Sequence, residues 1–475
     1  MTDQTAAQPA DLTPAPPAGP GFSDGYKAYA LLILVIVYTS NFIDRQIIGI
    51  VAKNLKADLD ISNLQIGLLA GLSFAVLYSV LGVPIARLAE RYNRVTIIAV
   101  SLALWSGFTA ACGLAQNFTQ MFLYRVGVGI GEAGCSPAAQ SLLSDYYSPK
   151  KRATALAIYS LGIPFGTLFG ALIAGQVAEN YGWRMAFFIV GVPGLLLALV
   201  LKLTLKEPPR GSYDAAALQA GPAPSLWRVC KTLFGKASFR HMAAGATLSS
   251  FAGYGVASFG VLFLASGPFN IGGAEAATAY GVVGGLAAAF GIFLGGVVTD
   301  FVGKRSTRAY PLVPGLGFLV AAPLYFFAFQ QPTLIGIAAW IIAPLILQYL
   351  YLGPTFAVTH NLVEPRMRAS ATALLFLPIN LIGLGFGPPF VGWLADVMTN
   401  RAFAGMNLGE FKAACAAAGQ PGAAADLVAA CGTSGHEGVK WAIIITAAVF
   451  YAWAGLHYVY ASLHVKRDLE AGPVS

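Results

Sequence analysis

Apolar residues run along this chain in blocks of twenty or more, separated by shorter stretches that hold most of its charges. A hydrocarbon core of about 30 Å is crossed by roughly 20 apolar residues at a 1.5 Å rise each, so every such block predicts a membrane-spanning helix. Twelve are predicted, near 28–52, 63–88, 95–115, 118–145, 152–179 and 184–206, then 240–266, 274–300, 310–330, 333–361, 369–398 and 439–463. The stretches between them alternate in charge. One set holds Arg87, Arg91 and Arg94; Lys150, Lys151 and Arg152; Lys304, Arg305 and Arg308; Arg366 and Arg368; Lys466 and Arg467. The other set holds only Lys53, Lys56, Arg184, Arg401, Lys412 and Lys440. Basic loops stay on the cytoplasmic side, so both termini are expected there.

This pattern divides the chain. Residues 1–25 are rich in Ala, Pro and Gly, without a basic start or cleavage site, and read as a disordered cytoplasmic tail rather than a signal peptide. A six-helix bundle is predicted over 26–206. Pro208 and Pro209 stop its last helix, and a cytoplasmic linker over 207–238 carries an amphipathic stretch, Ser225 to Phe234, suited to the inner membrane surface. A second six-helix bundle is predicted over 239–465, with a long polar external loop at 400–438 able to form a small helical hairpin, then a cytoplasmic tail at 466–475.

The halves repeat each other. Ala86 to Arg94 corresponds to Gly296 to Lys304, each with an acid at its fifth position and a base at its ninth. Arg152-Ala-Thr-Ala155 matches Arg368-Ala-Ser-Ala371. Gly170, Gly175, Ala178 and Glu179 match Gly387, Gly392, Ala395 and Asp396. Duplicated bundles of this kind mark secondary transporters, in which two units rock about a site near the midplane.

Composition sharpens the class. Of 475 residues 57% are hydrophobic and only 11% charged, with a mean hydropathy of +0.67, against about 25% charged in soluble domains. The chain is therefore read as an all-α membrane protein. Its net charge of +8 sits in alternate loops and forms no basic stripe, which argues against nucleic acid as a partner. Five cysteines are too few for a disulfide framework; Cys415 and Cys431, sharing the long external loop, are the candidate pair. The five histidines show no metal-ligand spacing and no P-loop pattern is present, so neither a metal, a cofactor nor ATP is expected, and no enzyme site is visible.

The candidate chemistry lies where charge interrupts the apolar blocks. The fourth span contains Leu123-Tyr-Arg-Val-Gly-Val-Gly-Ile-Gly-Glu-Ala-Gly134, with Arg125 and Glu132 two turns apart on one face. The first span contains Asn41-Phe-Ile-Asp-Arg45. An ionised side chain in hydrocarbon costs roughly 2.5–3.5 kcal/mol on insertion scales, so four of them predict a water-filled cavity that uses them. Counting the rise along each helix puts Asp44, Arg45 and Arg125 at similar depth and Glu132 deeper, a formally neutral ladder. The arginines suit an anionic head group, since a guanidinium offers paired donors and stays charged when desolvated. Asp44 and Glu132 suit a coupling proton, because burial and a neighbouring arginine pull a carboxyl's proton affinity in opposite directions. The competing reading is a pair of structural ion bridges, Asp44 with Arg45 and Arg125 with Glu132.

The predicted spans of the second half hold no interior acid; Tyr254, Tyr280, Phe376 and Phe386 offer an apolar wall, and Asn380 a polar contact. A charged half facing an apolar half suits an amphipathic substrate. Glu90, Arg91, Arg94, Asp300 and Arg305, at cytoplasmic helix ends, are expected to hold the inner side shut and to release it when it opens.

The motifs around Glu90–Arg94 and Asp300–Arg305, with Arg125-xxx-Gly129 and the series Gly162, Gly166, Gly170, resemble those of the major facilitator superfamily. Asn41–Arg45, Arg91-Tyr-Asn-Arg94, Arg125 to Ala133, Ile163-Pro-Phe-Gly166 and Glu207-Pro-Pro-Arg-Gly211 resemble, within it, the Spinster family of lysolipid and sphingosine-phosphate transporters. Ala86, Glu90, Asn93 and Phe301 depart from the loop motifs. The resemblance implies a twelve-helix fold of two six-helix bundles and proton-coupled movement of a lysolipid or sphingosine-phosphate-like substrate by alternating access. Arg45, Arg125, Asn41, Glu132, Tyr254, Phe376 and Asn380 would then bind it. A monomer in a bacterial inner membrane is expected. A drug exporter, an organic-anion symporter and a membrane-embedded lipid-modifying enzyme are the rival readings.

Overall fold

A computed structural model describes residues 21–210, 213, 225–266, 268–269, 271–364, 367–404, 406, 410–418 and 423–471; the side chains of residues 83, 86, 87, 90, 149, 150, 153, 369 and 417 lie outside that description. Most of the predicted N-terminal tail, part of the linker and parts of the loop at 400–438 fall outside it too. Among the described residues every regular element is a helix. Eleven helices among the described residues are long and apolar enough to cross a membrane. The fourth span completes twelve in two pieces, Phe118–Glu132 and Cys135–Tyr146.

Several spans that look continuous by hydropathy are broken. The second bends at Gly71 between Asn63–Ala70 and Leu72–Arg91. The eleventh runs Arg368–Pro378, passes through a π-helical stretch at Ile379–Leu384, and continues as Gly385–Ala404. Pro378, Pro388 and Pro389 supply no backbone N–H there, which explains the disturbed ladder.

Boundaries also move. The first helix begins at Asp24, inside the predicted tail, because the Ser23 hydroxyl accepts from the Tyr26 N–H at 3.2 Å and caps it. The last helix runs Ala425–Glu470. It takes up the end of the expected external loop and the start of the expected tail, where Ala-rich sequence favours helix. Within that loop Phe411–Ala418 forms a short helix, and Cys415 is disulfide-bonded to Cys431 with Cα atoms 5.8 Å apart. In the linker, Leu226–Gly235 is helical; Val229, Thr232 and Leu233 are buried and Trp227 is exposed.

The two halves meet most closely at the face of the bundle opposite the chain termini. There the start of the second span packs on the end of the eleventh, and the end of the fifth on the start of the eighth. Glycines permit the approach. A Cβ on Gly67 would lie 2.3 Å from the Pro388 carbonyl oxygen, and one on Gly392 2.2 Å from that of Asn63.

Candidate functional site

Asp44 and Arg45 are consecutive on a helix, so their side chains diverge by about 100°. That divergence decides their partners. Asp44 Oδ1 accepts from the Thr109 hydroxyl of the third span at 2.6 Å. Arg45 turns to the fourth span, where its Nε donates to Glu132 Oε2 at 3.1 Å. Arg125 donates to backbone, from Nη1 to the Asp44 carbonyl at 3.1 Å and from Nε to the Leu69 carbonyl at 3.4 Å. It thereby knits the first, second and fourth spans. The ion bridges of the competing reading, Asp44 with Arg45 and Arg125 with Glu132, are replaced by one pair across segments. Neighbours in sequence point apart, and residues two turns apart on one helix are about 10 Å from each other.

Aromatic rings seat the cation. The Arg45 guanidinium carbon lies 5.0 Å from the Phe42 ring centroid, 4.8 Å from Phe74 and 4.7 Å from Tyr78. Each such contact contributes about 0.5–2 kcal/mol depending on desolvation. Tyr38 and Tyr254 are further neighbours of Arg45. Tyr254 comes from the seventh span and packs against the first half's apolar core.

The expected wet ladder is not what forms. Asp44, Arg125 and Glu132 are each 1% exposed, and only the Arg45–Glu132 pair keeps an edge open, at 9% of the Arg45 side chain. The glycine stripe is the cause: a Cβ on Gly129 would stand 2.5 Å from the Phe74 carbonyl oxygen and one on Gly131 2.6 Å from the Trp105 nitrogen. The second and third spans therefore close directly over the charges. Inside the cluster, both amide atoms of Asn41, Asp44 Oδ2, Glu132 Oε1 and Arg125 Nη2 are buried and make no well-formed hydrogen bond among the described residues. Poorly bonded buried polar atoms are costly, and here they gather around one ion pair.

The other predicted residues are placed as follows. Phe376 is 37% exposed and its ring lies tilted against that of Phe356, with centroids 5.4 Å apart, within the second half. Asn380 spends its amide on the Phe376 carbonyl at 3.1 Å, re-bonding the backbone beside the π-helical stretch. Neither is brought to Arg45. Arg94 is 1% exposed. It bonds Asp145, Ser141 and the Pro208 carbonyl, and its Nε meets Glu207 Oε1 at 2.6 Å. It clamps the entry to the linker onto its own half. Asp300 Oδ1 accepts from the Tyr310 hydroxyl at 3.2 Å, also within its half. Arg91 and Arg305 are exposed, and the Glu90 side chain lies outside the described residues.

Sequence spacing missed Thr109, the Phe42–Phe74–Tyr78 seat and a histidine pair: His241 Nδ1 lies 2.8 Å from His457 Nδ1. The rings of the seat were visible only as ordinary apolar residues. Two histidines 216 positions apart carry no local signal at all.

This architecture, of duplicated helical halves around intramembrane charge, has a counterpart among known proteins. Residues 34–388 match the sequence profile of the Major Facilitator Superfamily, and the chain belongs to that superfamily of transporters. It is a Spinster-like member. It is 28% identical over 381 residues to protein spinster of Drosophila melanogaster, covering 78% of this chain and 62% of that one. An MFS-type efflux pump of Mycolicibacterium smegmatis is 32% identical over 377 residues, covering 79% of this chain and 86% of the pump. Among solved structures, a bacterial homologue of the human lysosomal transporter Spinster, in an inward-facing and unoccupied conformation, superposes with a TM-score of 0.84 at 35% identity, over 96% of this chain and 100% of that one.

Proposed function

We propose that the protein moves lysolipid or sphingosine-phosphate-like amphipathic anions by proton-coupled alternating access. Arg45 takes the head group, and Glu132, with Asp44 behind it, takes the proton. The observation that carries this reading is the Arg45–Glu132 pair. It is one strong contact on Nε, in an aromatic seat, with the open edge of the cluster on the arginine. An entering anion competes with Glu132 for the guanidinium. Once released, the carboxylate no longer answers the arginine and is the group that takes the proton. Arg125 holds Asp44 and the second span in place, and Asn41 is at hand to exchange bonds with Glu132. Tyr254 closes the head-group end from the second half, and the apolar surface that includes Phe376 accepts the acyl chain.

With the termini in the cytoplasm of a bacterial cell, as the basic loops favour, the tightly packed face is external and the conformation is inward-facing. A second reading, export of hydrophobic drugs, is favoured by the mycobacterial relative named as an efflux pump. Proteoliposomes separate the two. Uptake of a lysolipid and sphingosine-phosphate panel that depends on an imposed pH gradient and is lost in Arg45→Ala supports the proposal. Flux of a hydrophobic cationic dye that lysolipid does not compete with, and no lysolipid flux, favours export of drugs.

A further inference from the structure

The sequence repeat that ends in an acid, Glu179 in the fifth span and Asp396 in the eleventh, plays no part in the charged cluster. Its two copies do the same thing in space. Asp396 accepts from the backbone N–H groups of Asn63 and Leu64, at 3.1 and 2.9 Å, at the start of the second span. Glu179 accepts from the N–H of Ala274, at the start of the eighth. Each carboxylate therefore caps a helix that belongs to the other half, and each helix N-terminus carries partial positive charge that favours an anion. Four residues before each acid stands the repeat's second glycine. A Cβ on Gly392 would meet the Asn63 carbonyl at 2.2 Å, and one on Gly175 the Ala277 methyl at 2.7 Å. A close glycine contact and an acid cap thus come as one unit, used twice about the pseudo-twofold axis. A third contact of the same logic has the opposite sign: the Lys53 ammonium donates at 2.9 Å to the carbonyl of Ala265, in the last turn of the seventh span, where a helix terminus favours a cation.

We infer that Glu179 and Asp396 form a duplicated latch that holds the face opposite the termini shut, by capping across the halves the helices of the opposite bundle. They are positioning residues for the conformational cycle and touch no substrate. The latch must break for that face to open, so it sets the balance between the two access states. It is independent of which substrate the central cluster binds and of whether a proton is coupled.

The test places nitroxide labels at Tyr181 and Arg401, both exposed at that face on opposite halves, in full-length protein with Cys112, Cys135 and Cys230 replaced, and reads their separation by pulsed dipolar spectroscopy without substrate. Glu179→Gln with Asp396→Asn keeps an acceptor and removes the charge. Given the size of charge–terminus interactions, the ratio of far to near separations is expected to rise roughly 3- to 30-fold for the pair, with each single change giving part of it. Glu179→Asp with Asp396→Glu, which restores charge, should bring the distribution back towards wild type. A distance distribution in the neutral pair that matches wild type overturns the inference. So does an equal shift in the charge-retaining pair, which would mark a packing effect. If the neutral pair does not fold, the single variants are read against the same two criteria. Lysolipid flux is a separate measurement, so failure of the substrate proposal leaves this result standing.

Discussion

Replacing Glu132 by Gln removes the charge that Arg45 answers and changes little else in shape. The Arg45–Glu132 contact at 3.1 Å has a gross Coulomb attraction of about 5 kcal/mol at an effective dielectric of 20. An anionic substrate that binds Arg45 must displace that attraction. Coupling energies for close charge pairs run from about 1.5 kcal/mol upward, so the low end already predicts roughly tenfold tighter anion binding by Glu132→Gln. The variant should also resemble wild type at low pH, where a protonated Glu132 no longer competes. Wild-type affinity, followed across a pH series, is therefore expected to rise on the acid side towards that of the variant, while the variant stays flat. The ligand should be a lysophosphodiester, whose own charge is constant over that series, and binding can be read by calorimetry in detergent. Proton-driven flux of the same lipid should fall in the variant. If Glu132→Gln binds no more tightly and keeps the wild-type pH profile, the pair is a structural bridge and the coupling argument fails.

The remaining predictions concern the scaffold. Arg94→Ala removes the ion pairs to Asp145 and Glu207 from a buried position and should cost about 3–5 kcal/mol, as expected for breaking buried charge pairs. Its thermal unfolding temperature should fall well below that of Arg91→Ala, an exposed neighbour; equal temperatures would show the clamp to be dispensable. Alkylation of denatured, unreduced protein should modify three thiols, Cys112, Cys135 and Cys230, with Cys415 and Cys431 reacting only after reduction. Mass spectrometry finding all five modified without reductant would rule out the Cys415–Cys431 disulfide.

The fold was legible because membrane helices announce themselves by length and apolarity, and because the two halves share loop and glycine motifs. What hydropathy could not show was discontinuity. Gly71 and the Ala133–Gly134 joint break spans without lowering their apolarity. The charged residues were legible for a related reason, since Asp44, Arg45, Arg125 and Glu132 are costly inside apolar runs. Their pairing was not. It depends on how each helix is rotated about its axis, which sent Arg45 to Glu132 and Asp44 to Thr109. The depth of burial was also hidden, because it comes from glycines letting Phe74 and Trp105 approach, a property of three helices together. Glu179 and Asp396 stood in the repeat as matched letters, and only the assembled halves give them a shared task.

Where the two bundles touch, they do so in large part through main chain: Gly67 against Pro388, Gly392 against Asn63, Gly71 against the Leu384 carbonyl. A glycine has no rotamers to freeze when such a contact forms and none to release when it parts. Each closure therefore leaves nearly the same side-chain disorder as before, and little entropy stands between the joined and separated forms. A hinge surface made this way can cycle many times with its two positions close in free energy, so that small charge effects at its rim are enough to tip it.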